Sequence, residues 1–136
     1  MDEFDEQFQK TLDDDDVNGI IYGDFHETLS LSSQGYIGLD YSLMHSPKEG
    51  KVHLATQRAY CRNGDYYNQH TDPVIRRQCA ARSQKSAFAD LLDHKKIMEA
   101  VAAGCTEPYQ IAEFYNLPEE FAYRACFYDR NGYLMD

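Results

Sequence analysis

This 136-residue chain has no tryptophan, only four prolines and only four cysteines. No apolar run approaches the roughly 20 residues that a membrane-spanning helix needs, which excludes a span of that kind. The cysteines, Cys61, Cys79, Cys105 and Cys126, are far apart and contain no C-x-x-C pair. That spacing argues against a zinc ribbon and against a redox dithiol. No secretory leader is expected from the opening residues. The opening stretch MDEFDEQFQK is acidic and polar, where a leader would be basic and then apolar. The expected setting is therefore the cytoplasm, with the thiols reduced and used as small core side chains.

Positive charge is scarce outside one region, and the net charge is −10. Residues 1–16 carry eight acids against Lys10, and residues 17–47 carry three acids and no base. Residues 48–96 reverse the sign with ten bases and five acids, and residues 97–136 return to seven acids and two bases. The overall field opposes non-specific binding to DNA.

What is present suffices for a core. Apolar residues make up 43% of the chain, and a chain of this size buries about two-thirds of its unfolded surface. It needs neither disulfide nor metal to fold. The expected organisation is an acidic flexible tail over residues 1–16 and a single domain over 17–136. Within the tail Phe4, Phe8 and Leu12 recur every four residues, so a short amphipathic helix is the alternative there.

Residues 19–25 (GIIYGDF) and 36–43 (YIGLDYSL) are β-branched and aromatic and read as strands. TLSLSSQG between them extends the first strand or forms the turn. From Pro47 onward the pattern is helical. A first helix is expected over about 48–61. A second is expected over about 74–92, with Ile75, Cys79, Ala87, Leu91 and Leu92 among its apolar positions. A third runs from His94 to Ala103 and is ended by Gly104. Thr106 is placed to cap the next helix, whose apolar face carries Ile111 and Phe114 and which Asn116 breaks. Pro118, Glu119 and Glu120 open the last helix, at whose positive end carboxylates are favoured. Phe121, Ala122, Cys126 and Phe127 supply its buried face. The expected fold is α+β: a small two- to three-stranded sheet packed on four to five helices.

The stretch LATQRAYC, residues 54–61, bears on chemistry. A zinc endopeptidase helix carries H-E-x-x-H: two imidazoles one turn apart meet one metal, and the adjacent Glu activates the bound water. Residues 54–67, LATQRAYCRNGDYY, resemble the active-site helix and following turn of the ImmA/IrrE family of metallo-endopeptidases, with Leu54, Ala55, Cys61, Gly64 and Tyr67 in place. AARSQKSAF resembles the family's following helix, through Arg82 and Ala87. IMEAVAAGCTEPYQIAEFYNLPEEFAYRA resembles its closing region. The resemblance spans about residues 20–130 and implies the zincin-like domain of that family. It also implies an origin in a phage or mobile element, and a partner that is a helix-turn-helix repressor or a similar regulator.

The departures from the family pattern fall on the chemistry. Its first His corresponds to Thr56, its general base Glu to Gln57, its second His to Tyr60, and its third ligand to Ala80. A carboxamide is no general base, alanine has no donor atom, and Thr and neutral Tyr are poor zinc ligands beside imidazole. The expectation is a pseudoprotease, with no cofactor, no metal and no catalytic residue, that binds its partner without cutting it. Arg58, Arg62, Arg76, Arg77 and Arg82 are the candidate partner-binding residues, able to hold an acidic peptide or the chain's own acidic N-terminus. The bland alternative is that they are solvated charges. No membrane or direct nucleic-acid partner is expected. The helix-turn-helix pattern over residues 106–124 offers Glu119 and Glu120 with only Arg124 where a DNA-reading helix would be basic. Two alternatives stay open. One is an acidic inhibitor that occupies the nucleic-acid-binding surface of a host or defence protein. The other is a metalloprotease whose metal has moved to Cys61, Cys79 and histidines such as His45, His53, His70 and His94.

Overall fold

The computed structural model describes residues 3–14, 16–23, 32–33, 36–40, 47–63 and 72–135. Helix α1 covers Glu3–Leu12. Three short strands follow: β1 (Gly19–Gly23), β2 (Ser32–Ser33) and β3 (Tyr36–Asp40). The rest is helical: α2 (Pro47–Asn63), α3 (Pro73–Leu91), α4 (His94–Ala102), α5 (Pro108–Tyr115) and α6 (Glu119–Asn131). The strands lie in the order β1-β3-β2, with β1 parallel to β3 and β2 antiparallel to it.

Local chemistry sets the helix boundaries. Asp72 caps α3 by accepting the Val74 N–H at 2.8 Å, and Pro73 occupies the first turn, where its missing N–H costs nothing. Asp93 caps α4 by accepting from Lys96 at 2.9 Å. Gln110 Oε1 accepts the backbone N–H of both Thr106 (2.6 Å) and Glu107 (3.1 Å), which closes the start of α5 as a capping box. Asn116 ends α5 in the left-handed region at φ 54°, a conformation its short amide side chain tolerates.

The main core is made from helices. Ala55 of α2, Ala87, Phe88 and Leu91 of α3, Ile97 and Ala100 of α4, Ile111 and Ala112 of α5, and Phe121, Ala122 and Ala125 of α6 form one buried cluster, with Leu92 and Leu117 from the connections. Phe88 packs against the rings of Phe121 and Tyr128, with centroids 5.2 and 5.8 Å away. A second, smaller cluster of Val17, Ile37, Leu54 and Cys61 takes in Phe8 and Ile20 and lies under the strands and α1. Helix α2 separates the two clusters.

This corrects the α+β expectation. Six helices dominate the described chain, the longest strand has five residues, and among the described residues no strand residue enters the main core. The strand side chains whose burial is described, Ile20 and Ile37, join the smaller cluster instead. The apolar positions of α3 to α6, three and four residues apart, build the core among themselves. Parts of 24–25 and 41–43 that were read as strand lie outside the described residues.

Smaller corrections have similar causes. Ile75 and Phe114, read as inward-facing, are each 51% exposed. Ala112 takes the inward position on α5, because a helix this short has room for one narrow stripe. The N-terminal segment read as a tail forms α1 and lies against α2. On it Thr11 is fully enclosed, whereas Leu12 of the expected Phe4–Phe8–Leu12 stripe is 46% exposed. Thr11 satisfies its own hydroxyl by donating to the Gln7 carbonyl at 2.7 Å, which lets a polar residue take the buried place.

Candidate functional site

Helix α2 carries the stretch LATQRAYC. Pro47 and Glu49 suit its start and Arg62 its end. Gly50, Lys51, His53, Leu54, Ala55, Gln57, Arg58, Ala59, Tyr60 and Cys61 are all buried, so the helix is enclosed on nearly every side. An apolar helix is at home in such a place. This one brings a lysine, a histidine, a glutamine and an arginine into it.

Arg58 is 1% exposed. Its Nη2 donates to Gln7 Oε1 of α1 at 2.7 Å and pairs with the Asp90 carboxylate of α3. Asp90 also receives Lys10 Nζ of α1 at 2.7 Å. Asp14, just past α1, stands 3.8 Å from Arg62. Three polar contacts thus hold α1 across α2. Burial lowers the Arg58 guanidinium below its ordinary pKa, and the nearby charges of Asp90 and Asp14 work against that shift.

The seat is incompletely satisfied. Among the described residues, neither amide atom of Gln57 has a hydrogen-bond partner, and the Nε and Nη1 of Arg58 also lack one. Beside α1 a gap of about 150 Å³ remains, lined by Glu6, Gln7, Lys51, Leu91, Lys96, Tyr115 and Leu117. Lys51 is anchored at its edge, donating to the carbonyls of Tyr115 (2.9 Å) and Asn116 (3.0 Å).

The positions that correspond to the family's metal site do not share one surface. Gln57 and Tyr60 are buried, Thr56 is half-buried with its carbonyl taken by Ser83 Oγ at 3.0 Å, and Ala80 is exposed. Gly64 and Tyr67, which also carry the resemblance, lie outside the described residues. Among the described residues no three His, Cys, Asp or Glu side chains converge as a metal site. Of the residues considered for a moved site, His53 is buried, His94 lies 2.9 Å from Asp129, and His45 and His70 are outside the described residues. Burial, with the charges of Asp14 and Asp16, pushes the Cys61 thiol up to about 11, so it stays protonated at neutral pH.

The five arginines separate into different settings. Arg58 is consumed inside the molecule. Arg62 is half-exposed beside Asp14. Arg76 and Arg77 line a shallow depression of about 300 Å³ with Pro73 and Ala80. Arg82 reaches Cys79 Sγ at 3.5 Å. The sequence reading missed Gln7, Lys10, Asp14 and Asp90, which complete the α2 seam. A signal for Gln7 and Lys10 was present, since a spacing of three residues puts them on one helix face. Asp90 gave none, because its partners lie 32 and 80 residues away.

Among the described residues no helix is long and apolar enough to cross a membrane. Comparison of the chain with protein families, curated proteins and solved structures finds no match.

Proposed function

We propose that this chain is a catalytically inactive ImmA/IrrE-like protein of a phage or mobile element. It binds a protein partner, a helix-turn-helix repressor or similar regulator, without cleaving it. The observation that carries this reading is Gln57. It occupies the position of the family's general base, its carboxamide cannot take a proton from water at neutral pH, and it is fully enclosed. Thr56, Tyr60 and Ala80 at the three ligand positions point the same way. The support is chemical and sequential. The family's sheet-on-helices architecture is no part of it.

The test is to incubate the purified chain with the helix-turn-helix repressor encoded beside it, with zinc present. Mass spectrometry follows the repressor, and a gel shift follows its operator binding. The expected result is an intact repressor that no longer holds its operator. Cleavage that needs zinc and stops with chelator would sink the proposal and revive the moved-metal alternative. The net charge of −10 favours one second reading, an acidic inhibitor seated on a nucleic-acid-binding surface. Association of that kind weakens steeply between low and high salt, whereas a largely buried contact changes little.

A further inference from the structure

We propose that α1 is the resident occupant of a binding seat on α2, and that the seat takes an acidic amphipathic helix from a protein partner in its place. The inference deepens the proposed function by naming the surface, and rests on it for the existence of a protein partner.

The segment as a whole and the seat have opposite charge, and of its acids Asp14 meets a seat residue, Arg62. Residues 1–16 hold eight acids and one lysine, and the seat belongs to the basic block of residues 48–96. Among the residues of α1 whose burial is described, one apolar side chain, Phe8, is partly buried and one, Leu12, is largely exposed, and the enclosed residue is a threonine. The contacts that fix α1 are Gln7 to Arg58, Lys10 to Asp90 and Asp14 to Arg62. Two of these reach half-exposed side chains, Lys10 at 59% and Arg62 at 50%. Such pairs hold weakly and exchange readily.

The seat also has capacity that α1 leaves unused. Buried polar atoms are nearly always paired. Yet two nitrogens of Arg58, whose Nη2 already meets Gln7 of α1, are unpaired among the described residues. The gap of about 150 Å³ places Lys51 and Lys96 around Glu6. A longer or better-matched acidic helix brings carboxylates to that gap and an amide or carboxylate to Arg58. It keeps one base opposite Asp90, as Lys10 does. A basic DNA-reading helix is rejected by the same residues, since Arg58, Arg62, Lys51 and Lys96 repel it. The partner therefore presents an acidic face of its fold.

The probe is the acetylated, fluorescein-labelled peptide of residues 1–16, titrated into the full-length chain and followed by anisotropy. Lys10→Glu in the chain sets a like charge against Asp90, loosens the resident helix and leaves the seat intact. We expect the K10E chain to bind the peptide at least tenfold more tightly than the unaltered chain. A peptide with its acids changed to lysine should not bind. In the unaltered chain the α1 amides should exchange with deuterium at least tenfold faster than those of α3. Equal affinity of the two chains, or α1 amides as protected as α3, overturns the inference. The regulator is then added. Displacement by the unlabelled peptide supports the α2 seat. A regulator that binds but is not displaced overturns the seat while leaving the proposed function standing. Peptide binding with no regulator binding retires the function and supports the seat as a helix-binding surface.

Discussion

Helices α6 and α1 both lie along the outside of the bundle, and they are attached by opposite means. Helix α6 sits on α3 through rings, with Phe121 and Tyr128 against Phe88, and its Phe121, Ala122 and Ala125 are buried. In the contacts described, helix α1 sits on α2 and α3 through charges and one amide, with Phe8 partly buried on the smaller apolar cluster. The first attachment is non-directional and grows with apolar area. The second depends on a few atoms meeting at the right distance, and it leaves neighbouring polar atoms unpaired. A helix held by area resists removal. A helix held by matched charges is specific and replaceable by another with the same match.

The largest expected effect breaks the apolar side. Phe88→Ala removes the ring on which α6 packs and should cost about 3–5 kcal/mol in urea unfolding, as ring-to-alanine changes in cores do. Next comes the charged side. Arg58→Ala leaves Asp90 with only the exposed Lys10 beside a buried gap and should cost about 3 kcal/mol. The double change Arg58→Met with Asp90→Leu removes both charges and should recover most of that loss, because a well-packed apolar pair replaces a buried ion pair at little or no cost. If the double variant is no better than the single one, the pair contributes more than geometry and the contrast between the helices weakens. A smaller effect of opposite sign is expected from Gln57→Leu. Deleting two unpaired buried polar atoms should stabilise the chain by about 1–2 kcal/mol. Unchanged stability there would mean that the amide is satisfied.

The smallest effect concerns Cys61. Its folded pKa, about 11 against an ordinary 9.0, means that the native state holds the thiol proton more tightly than the unfolded chain. The associated stability is fully present below pH 9.0 and is lost as pH rises toward about 11. Iodoacetamide at pH 8 should therefore alkylate Cys61 far more slowly in the folded protein than after urea unfolding, with peptide mapping to count the adducts.

The same contrast decides how much could be read from the sequence. The α5–α6 region was largely legible because its determinants are local. Asn116 stops one helix, Pro118 and two glutamates start the next, and Phe121 and Ala122 fall on the inward face. Gly104 was placed correctly after α4, where the chain takes φ 107°. The α2 helix was placed within two residues at each end. Its enclosure was not foreseen, since the residues that enclose it lie at both ends of the chain. The fold class failed for a related reason. Strand propensity at Ile20 and Ile37 was real, but propensity cannot show how large a share of the core those strands will carry. The arginines divide by setting, Arg58 and Arg62 against the N-terminal segment and Arg76 and Arg77 at a shallow depression, because position along a chain does not tell a paired, enclosed guanidinium from an open one.

The Lys10–Asp90 pair also orders events in time. The two residues are 80 apart, so a ribosome adding roughly 5–20 residues per second makes Asp90 about 4–16 s after Lys10. Throughout that interval α1 exists without its anchor, and a helix of ten residues is too short to persist alone in water. The first segment synthesised thus waits for a partner made much later. While it waits, any finished copy of the protein or any partner nearby competes with the growing chain to receive it.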